Sequence, residues 1–462
     1  MILRNARDLR DLRGLSSAPR SGTRIETKPS NIEIPGEGDV DLEGRWVLPG
    51  LWDHHVHFAQ WTLASRWIDV APATSAAEVR ALVGAAISAG RHSPGTVLMG
   101  TGFRDALWPD TPTAELLEFG DVPVALISGD VHTVWTNRAA LRMLGRAETD
   151  WWLREQPAYD INLQLSQVRP DTLDAWALGA AAAAAARGVT GMVDLEMDDA
   201  PGAWARRFGN GFRGMRVRAA VYPHTSALPD VDSALYEVGP YKLFTDGSLN
   251  TRTAWCDHPY PGSSDAGLPT YGPGGLLAAA REGVARGLTP TIHAIGDRAV
   301  TEALDVFEAL GVGGSMEHVQ LIGEADVPRL AALGVRASVQ PEHAMDDRDV
   351  ADRYWAGRTD RAFAYRTLLD AGVELLFGSD APVAPFDPWV TMAAAVTRSR
   401  DGRDPWHPEQ AVTPIEALLA STHDYDDDLV VVEADPLVPE NLRTMPVHAT
   451  MTAGHWTHGP HA

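Results

Sequence analysis

Eight short apolar runs, bounded by turn residues and in places separated by helix-like stretches, constrain this chain most. They are VLPGLWDHHVHF (47–58), GVTGMVDLE (188–196), RVRAAVYP (216–223), YKLFTDGS (241–248), LTPTIHAIGD (288–297), GSMEHVQLI (314–322), VRASVQPEH (335–343) and ELLFGSDAPV (374–383). Helical stretches AWALGAAAAAAA, GLLAAAREGVA and AVTEALDVFEAL precede the second, fifth and sixth runs. Strands alternating with helices imply a parallel sheet, and eight such units imply a closed barrel of the TIM (β/α)8 type in the α/β class.

About 60–186 is an insertion between the first two strands, with strand-like pieces of its own at 96–103 and 123–130. It reads as an elaboration over the barrel mouth. The two ends, 1–46 and 425–462, carry short strand signals and are expected to meet as a small β domain, leaving 47–424 as the barrel domain. The closing HWTHGPHA reads as a solvated tail.

Composition narrows the partners. A net charge of −23 argues against nucleic acid or an anionic membrane, both of which are bound by basic patches. No apolar run is long enough for a membrane span, and the charged first residues do not resemble a secretory signal. Cys256 is the only cysteine, so no internal disulfide forms, which fits a reducing cytoplasm. The expected partner is a small-molecule substrate, and a homodimer is the ordinary arrangement for a large soluble enzyme. Of 39 basic residues only Lys28 and Lys242 are lysine. Lys28 lies in polar ETKPSN, whereas Lys242 sits in the apolar stretch VGPYKLFTDGS. Lysine differs from arginine in that burial can neutralise it.

In a barrel of this kind the chemistry lies at the C-terminal ends of the strands. The first strand ends in DHHVH. Alternation puts Asp53, His55 and His57 on one face and His54 on the other. His55 and His57 suit one metal ion, although an isolated pair of this kind is as readily a pair of core histidines. A neutral Lys242 can react with carbon dioxide to give a carbamate that bridges two cations; the alternative is a lysine reaching the rim or pairing with Asp246. His293 and His318 end the fifth and sixth strands, where each alone would pass for a hydrogen-bonded core histidine. Asp380 ends the eighth, where a helix N-cap is its ordinary use. The combination at one end of a barrel is far more specific than its parts.

With these motifs in place, the chain resembles the amidohydrolase superfamily, and most closely its YtcJ-like branch, which includes N-substituted formamide deformylases. The matching stretches are LPGLWDHHVHF, GDVHTVWTNRAAL, YKLFTDGSLNTRTA, TIHAIGDRAV, MEHVQLI, SVQPEHAMDD and FGSDAPV, spread over most of 45–390. The resemblance implies a β-sandwich made from both chain ends and a two-metal centre, expected to hold zinc. It implies that His55, His57 and Asp380 bind one ion, that His293 and His318 bind the other, and that carbamylated Lys242 bridges them. His132, His343 and Asp246 are the expected substrate contacts. The stretch ALLASTHDYDDDLVVVEADP is shorter than its family counterpart, so the small domain is expected to differ in shape.

The implied reaction is hydrolysis of a non-peptide carbon–nitrogen bond, an amide or N-formyl group, by metal-activated hydroxide with Asp380 as the proton shuttle. Cyclic-amide hydrolysis, deamination, or a non-catalytic metal-binding role are the alternatives the same residues allow. Trp108, Trp135, Trp151 and Trp152 in the insertion suggest an aromatic or apolar substrate part, against ordinary core packing.

Overall fold

The computed structural model describes residues 1–16, 28–34, 38–103, 105, 108–128, 133–154, 156–165, 168–226, 228–249, 251–460 and 462. It divides into two compact units, Met1–Phe58 with Leu178–Ala462, and Ala59–Ala177.

The first unit is built on eight parallel strands: β1 (Leu51–Val56), β2 (Val189–Asp194), β3 (Arg216–Val221), β4 (Tyr236–Phe244), β5 (Pro290–Ala294), β6 (Gly314–His318), β7 (Val335–Val339) and β8 (Leu375–Phe377). Each pairs with the next in parallel register. A parallel bridge between Val56 and Ala381 joins the last strand's exit to the first strand, so the barrel is nearly closed. All eight runs identified in the sequence are these strands. They were legible because barrel strands are covered on both faces, which makes them apolar throughout instead of alternating; β1, β2, β5 and β6 are buried at every residue.

The first run is two strands in the structure. Trp46–Pro49 belongs to a sheet of the chain ends, and β1 begins after Gly50. A Cβ at Gly50 would sit 2.3 Å from the Thr190 hydroxyl, so the crossing between sheets requires glycine there.

The chain ends form a seven-stranded sheet in the order Ser30–Glu33, Ile2–Asp8, Trp46–Pro49, Leu429–Val432, Val447–Thr452, His455–His458, with Asp39–Asp41 pairing the start of Ile2–Asp8 on the edge opposite Ser30–Glu33. Leu429–Val432 lies antiparallel to Trp46–Pro49 in the middle of it. Within the histidine-rich end, His455–His458 is therefore a paired edge strand rather than a solvated tail. The sheet is tied to the barrel by Arg216 of β3, whose Nε donates to Asp428 at 2.9 Å and whose Nη2 donates to Asp427 at 2.7 Å. On the barrel's outer layer, the helix Pro414–Ala420 opens with a capping box in which Thr413 and Glu416 satisfy each other's amides. The Arg366 guanidinium also binds Glu416.

The second unit carries a five-stranded sheet in the order Trp152–Arg154, Thr133–Thr136, Val124–Ser128, Leu98–Phe103, Ile68–Asp69. Its tryptophans pack on one another: ring centroids of Trp135 and Trp152 are 5.9 Å apart, and Phe103 lies 6.0 Å from Trp108 and 5.7 Å from Trp152. Trp135 is fully buried and belongs to this unit's apolar core with Val79, Val83 and Leu126. Trp108, Trp151 and Trp152 are half-buried and pack against that core. No helix among the described residues is long and apolar enough to cross a membrane.

Candidate active site

The side chains ending the barrel strands converge on Asp380. Nε2 of His57 lies 3.2 Å and Nε2 of His55 3.4 Å from the same oxygen, Oδ1, while Nε2 of His343 is 3.7 Å from Oδ2. His55, His318 and Asp380 each offer a ligand atom, and these atoms lie within 4.8 Å of one another. The His318 ring is 4.8 Å from that of His55 and 4.5 Å from that of His293. The closest trio thus takes one histidine from each of the two expected metal pairs.

Backbone geometry delivers these groups. Asp380 N donates to His55 O at 2.7 Å and His57 N to Ala381 O at 2.9 Å, which lashes the exit of β8 to β1. His318 and Asp380 have φ of 72° and 57°, the left-handed region that non-glycine residues seldom occupy. Such conformations turn a side chain out of strand alternation, and they persist where surrounding contacts hold them. Gly378 allows the close approach behind His55: an added Cβ would lie 2.6 Å from both His55 Cβ and N.

In β1 the register with β2 slips between Asp53 and Val56, so strict alternation fails. Asp53 is buried, accepting from the amides of His55 and Ser379, both at 3.0 Å. Burial pushes its carboxyl up to about 7 against the pull of those donors. His54 instead lines a cavity at the opposite, N-terminal mouth of the barrel.

Lys242, in β4, is 1% exposed, and its Nζ has no hydrogen-bond partner among the described residues. Burial lowers its affinity for a proton, opposed by the negative charges of Glu317 and Asp380. Burial also disfavours ionisation of Asp380, but the surrounding histidines, His55 first, outweigh it and hold the carboxylate well below its usual range. His55 is pulled down to about 4, by burial and then by Lys242, so its ring is neutral and suited to a metal. His57 is raised: burial works against its proton, but the hydrogen bond and charge of Asp380 prevail.

Sequence reasoning missed Glu317. It is 2% exposed, its Oε2 is 2.7 Å from Nδ1 of His55, and its other oxygen accepts from Thr291 and Ser315. Burial opposes its charge, yet the hydrogen bond to His55 and the charges of His55 and Lys242 bring its carboxyl down to about 2. The signal was an acidic residue inside an apolar strand, hidden by the more conspicuous histidine beside it. Asp246, expected at the substrate, instead has a fully buried side chain. It accepts from the amides of Trp255, Ile295 and Gly296 at 2.8, 3.0 and 2.9 Å, and its Oδ1 is 3.3 Å from His293 Nε2. It positions His293 and the turn after β5. His293 Nε2 also lies 3.1 Å from Gly247 O. His132 lies outside the described residues.

The donor set fits a divalent cation. Three imidazoles face a carboxylate held ionised. Among the described residues, buried ring nitrogens of His57, His318 and His343 have no hydrogen-bond partner, and neither does the lysine amine. Buried polar atoms in such numbers call for a further partner.

A sequence model of the amidohydrolase family matches residues 39–424. Protein LONG AFTER FAR-RED 3 of Arabidopsis thaliana is 28% identical over 442 residues, covering 84% of this chain and 75% of that protein. The N-substituted formamide deformylase of Arthrobacter pascens is 30% identical over 145 residues, 29% of this chain and 27% of its own length. In architecture the chain is similar to an uncharacterized metal-dependent hydrolase from Pyrococcus horikoshii OT3, with a TM-score of 0.76 at 23% identity over 95% of this chain and 98% of that one.

Proposed function

The chain belongs to the amidohydrolase family, and from that premise we propose that it hydrolyses a non-peptide carbon–nitrogen bond, a linear amide or N-formyl group, at a divalent-metal centre in the barrel mouth. The observation that carries this reading is the convergence of His55, His57 and His343 on Asp380 beside a buried, unpartnered Lys242. The formamide deformylase among the relatives is what turns the reading toward N-formyl and N-acyl compounds.

Imidazoles and a carboxylate suit zinc, which His55, His57, His293, His318 and Asp380 would hold, with Lys242 as a further ligand. A neutral Lys242 amine adds to carbon dioxide, forming a nitrogen–carbon bond and losing one proton, and so becomes an anionic carbamate. Divalent cations held by these residues would supply Lewis-acid chemistry for a carbonyl and for water. Asp380, kept ionised by its histidines, takes the proton from the attacking water and returns it to the departing nitrogen. His343, within 3.7 Å of Asp380, is placed to touch the substrate. Glu317 orients His55 from behind.

The test is metal content by plasma mass spectrometry on wild type and Lys242→Ala, expressed with zinc and bicarbonate. It is followed by formate and amine release from a panel of N-formyl and N-acyl compounds. About two ions per wild-type chain, falling in the variant, support the bridged centre. Equal metal in both proteins removes Lys242 as a bridge, and no metal in either ends the catalytic reading.

A further inference from the structure

The N-terminal mouth of the barrel, opposite the catalytic end, opens into a cavity of about 600 Å³. That volume is in the range of a small-molecule site. Four arginines border it. Arg10 is paired with Asp8, Arg13 with Asp424 and Arg218 with Glu237, at 2.8, 3.0 and 2.8 Å. The guanidinium of Arg336, half-buried at the start of β7, has no hydrogen bond or ion pair among the described residues. His54 lines the same cavity, is 5% exposed, and its Nε2 has no partner among the described residues.

The Arg336 guanidinium, open to the cavity and without an ion pair, suits an occupant that accepts hydrogen bonds and carries negative charge. We propose that this cavity binds a small molecule bearing a carboxylate or phosphate group, held by Arg336. The carboxylates on the wall that lack a cation, Asp11 and Glu374, are exposed to water, which screens them. Glu317 closes the inner end, so its charge keeps the anionic head at the level of Arg336 and leaves any apolar tail to lie along Leu288 and Leu376.

Titration calorimetry with inorganic phosphate and with benzoate, on the protein as purified, tests this. Binding of at least one probe is expected in wild type. In Arg336→Gln it should weaken by about tenfold or more, the loss expected for a charged hydrogen bond. Arg336→Lys keeps the charge but not the fork, so it should fall between the two, and it serves alone if Arg336→Gln does not fold. Lys242→Ala must bind like wild type, which separates this cavity from the metal centre. Absence of binding by both probes overturns the proposal, as does binding unchanged in the Arg336 variants. Binding lost in Lys242→Ala but kept in Arg336→Gln assigns the anion to the catalytic mouth instead.

Discussion

Glu317 and His55 meet inside the barrel, Oε2 to Nδ1 at 2.7 Å, with both side chains all but sealed from solvent. Because Glu317 occupies Nδ1, the other ring nitrogen of His55 is the one that faces Asp380. The pairing therefore chooses the tautomer as well as the ring orientation.

Glu317→Gln keeps the shape and removes the charge. Zinc affinity should drop by about 10–100-fold, the range seen when a carboxylate behind a ligating histidine is lost. Competition with a chromophoric chelator measures it, and an unaltered affinity would mean that His55 does not ligate.

Gly378→Ala puts a methyl where His55 Cβ and N already stand, at 2.6 Å. The strands must separate, so a loss of about 1–3 kcal/mol is expected, with weakened metal retention. Calorimetric unfolding and metal analysis on one preparation would show both, and an unchanged melting temperature would contradict the close packing of β8 on β1.

Arg216→Met leaves Asp428, 1% exposed, without its cation. Loss of one partner of a buried pair costs about 3–5 kcal/mol. Burial already raises the Asp428 carboxyl, with Arg216 opposing, and removal of the arginine raises it further. The folded state then binds the proton more tightly than the unfolded chain, so the deficit should be small below the unfolded value of 3.8 and grow as pH rises. Urea unfolding of wild type and variant across that range is the check; a deficit that shrinks with rising pH would be the wrong sign.

Glu416→Gln tests the opposite case. Burial opposes the charge of Glu416, but Arg366 and the Thr413 amide and hydroxyl bring its carboxyl down to about 2 from 4.5. A lowered carboxyl stabilises the fold above its unfolded value and loses that contribution as pH falls through the folded one. Wild type should therefore exceed the variant in stability at neutral pH, by about 1–2 kcal/mol for the cap and charged bonds. The gap should close between about 4.5 and 2. A gap independent of pH would assign the effect to packing.

The eight strands, their order and the set of polar residues at their ends were written locally. A strand covered on both faces must be apolar throughout, and a histidine, lysine or aspartate interrupting such a run is visible without knowing its neighbours. Which groups meet was not local. His318 and Glu317 are adjacent, yet the backbone turns at His318, so one faces His293 while the other holds His55 from across the barrel. The register slip in β1 puts His54 in a cavity that simple alternation denies it. Asp246, expected at the substrate, accepts from three amides, two of them about 50 residues away along the chain. Of Trp108, Trp135, Trp151 and Trp152 in the insertion, Trp135 is sealed in a core and the other three pack against it. In each case barrel closure, register or the packing of distant segments set the contact, and none of these leaves a periodic trace in the chain.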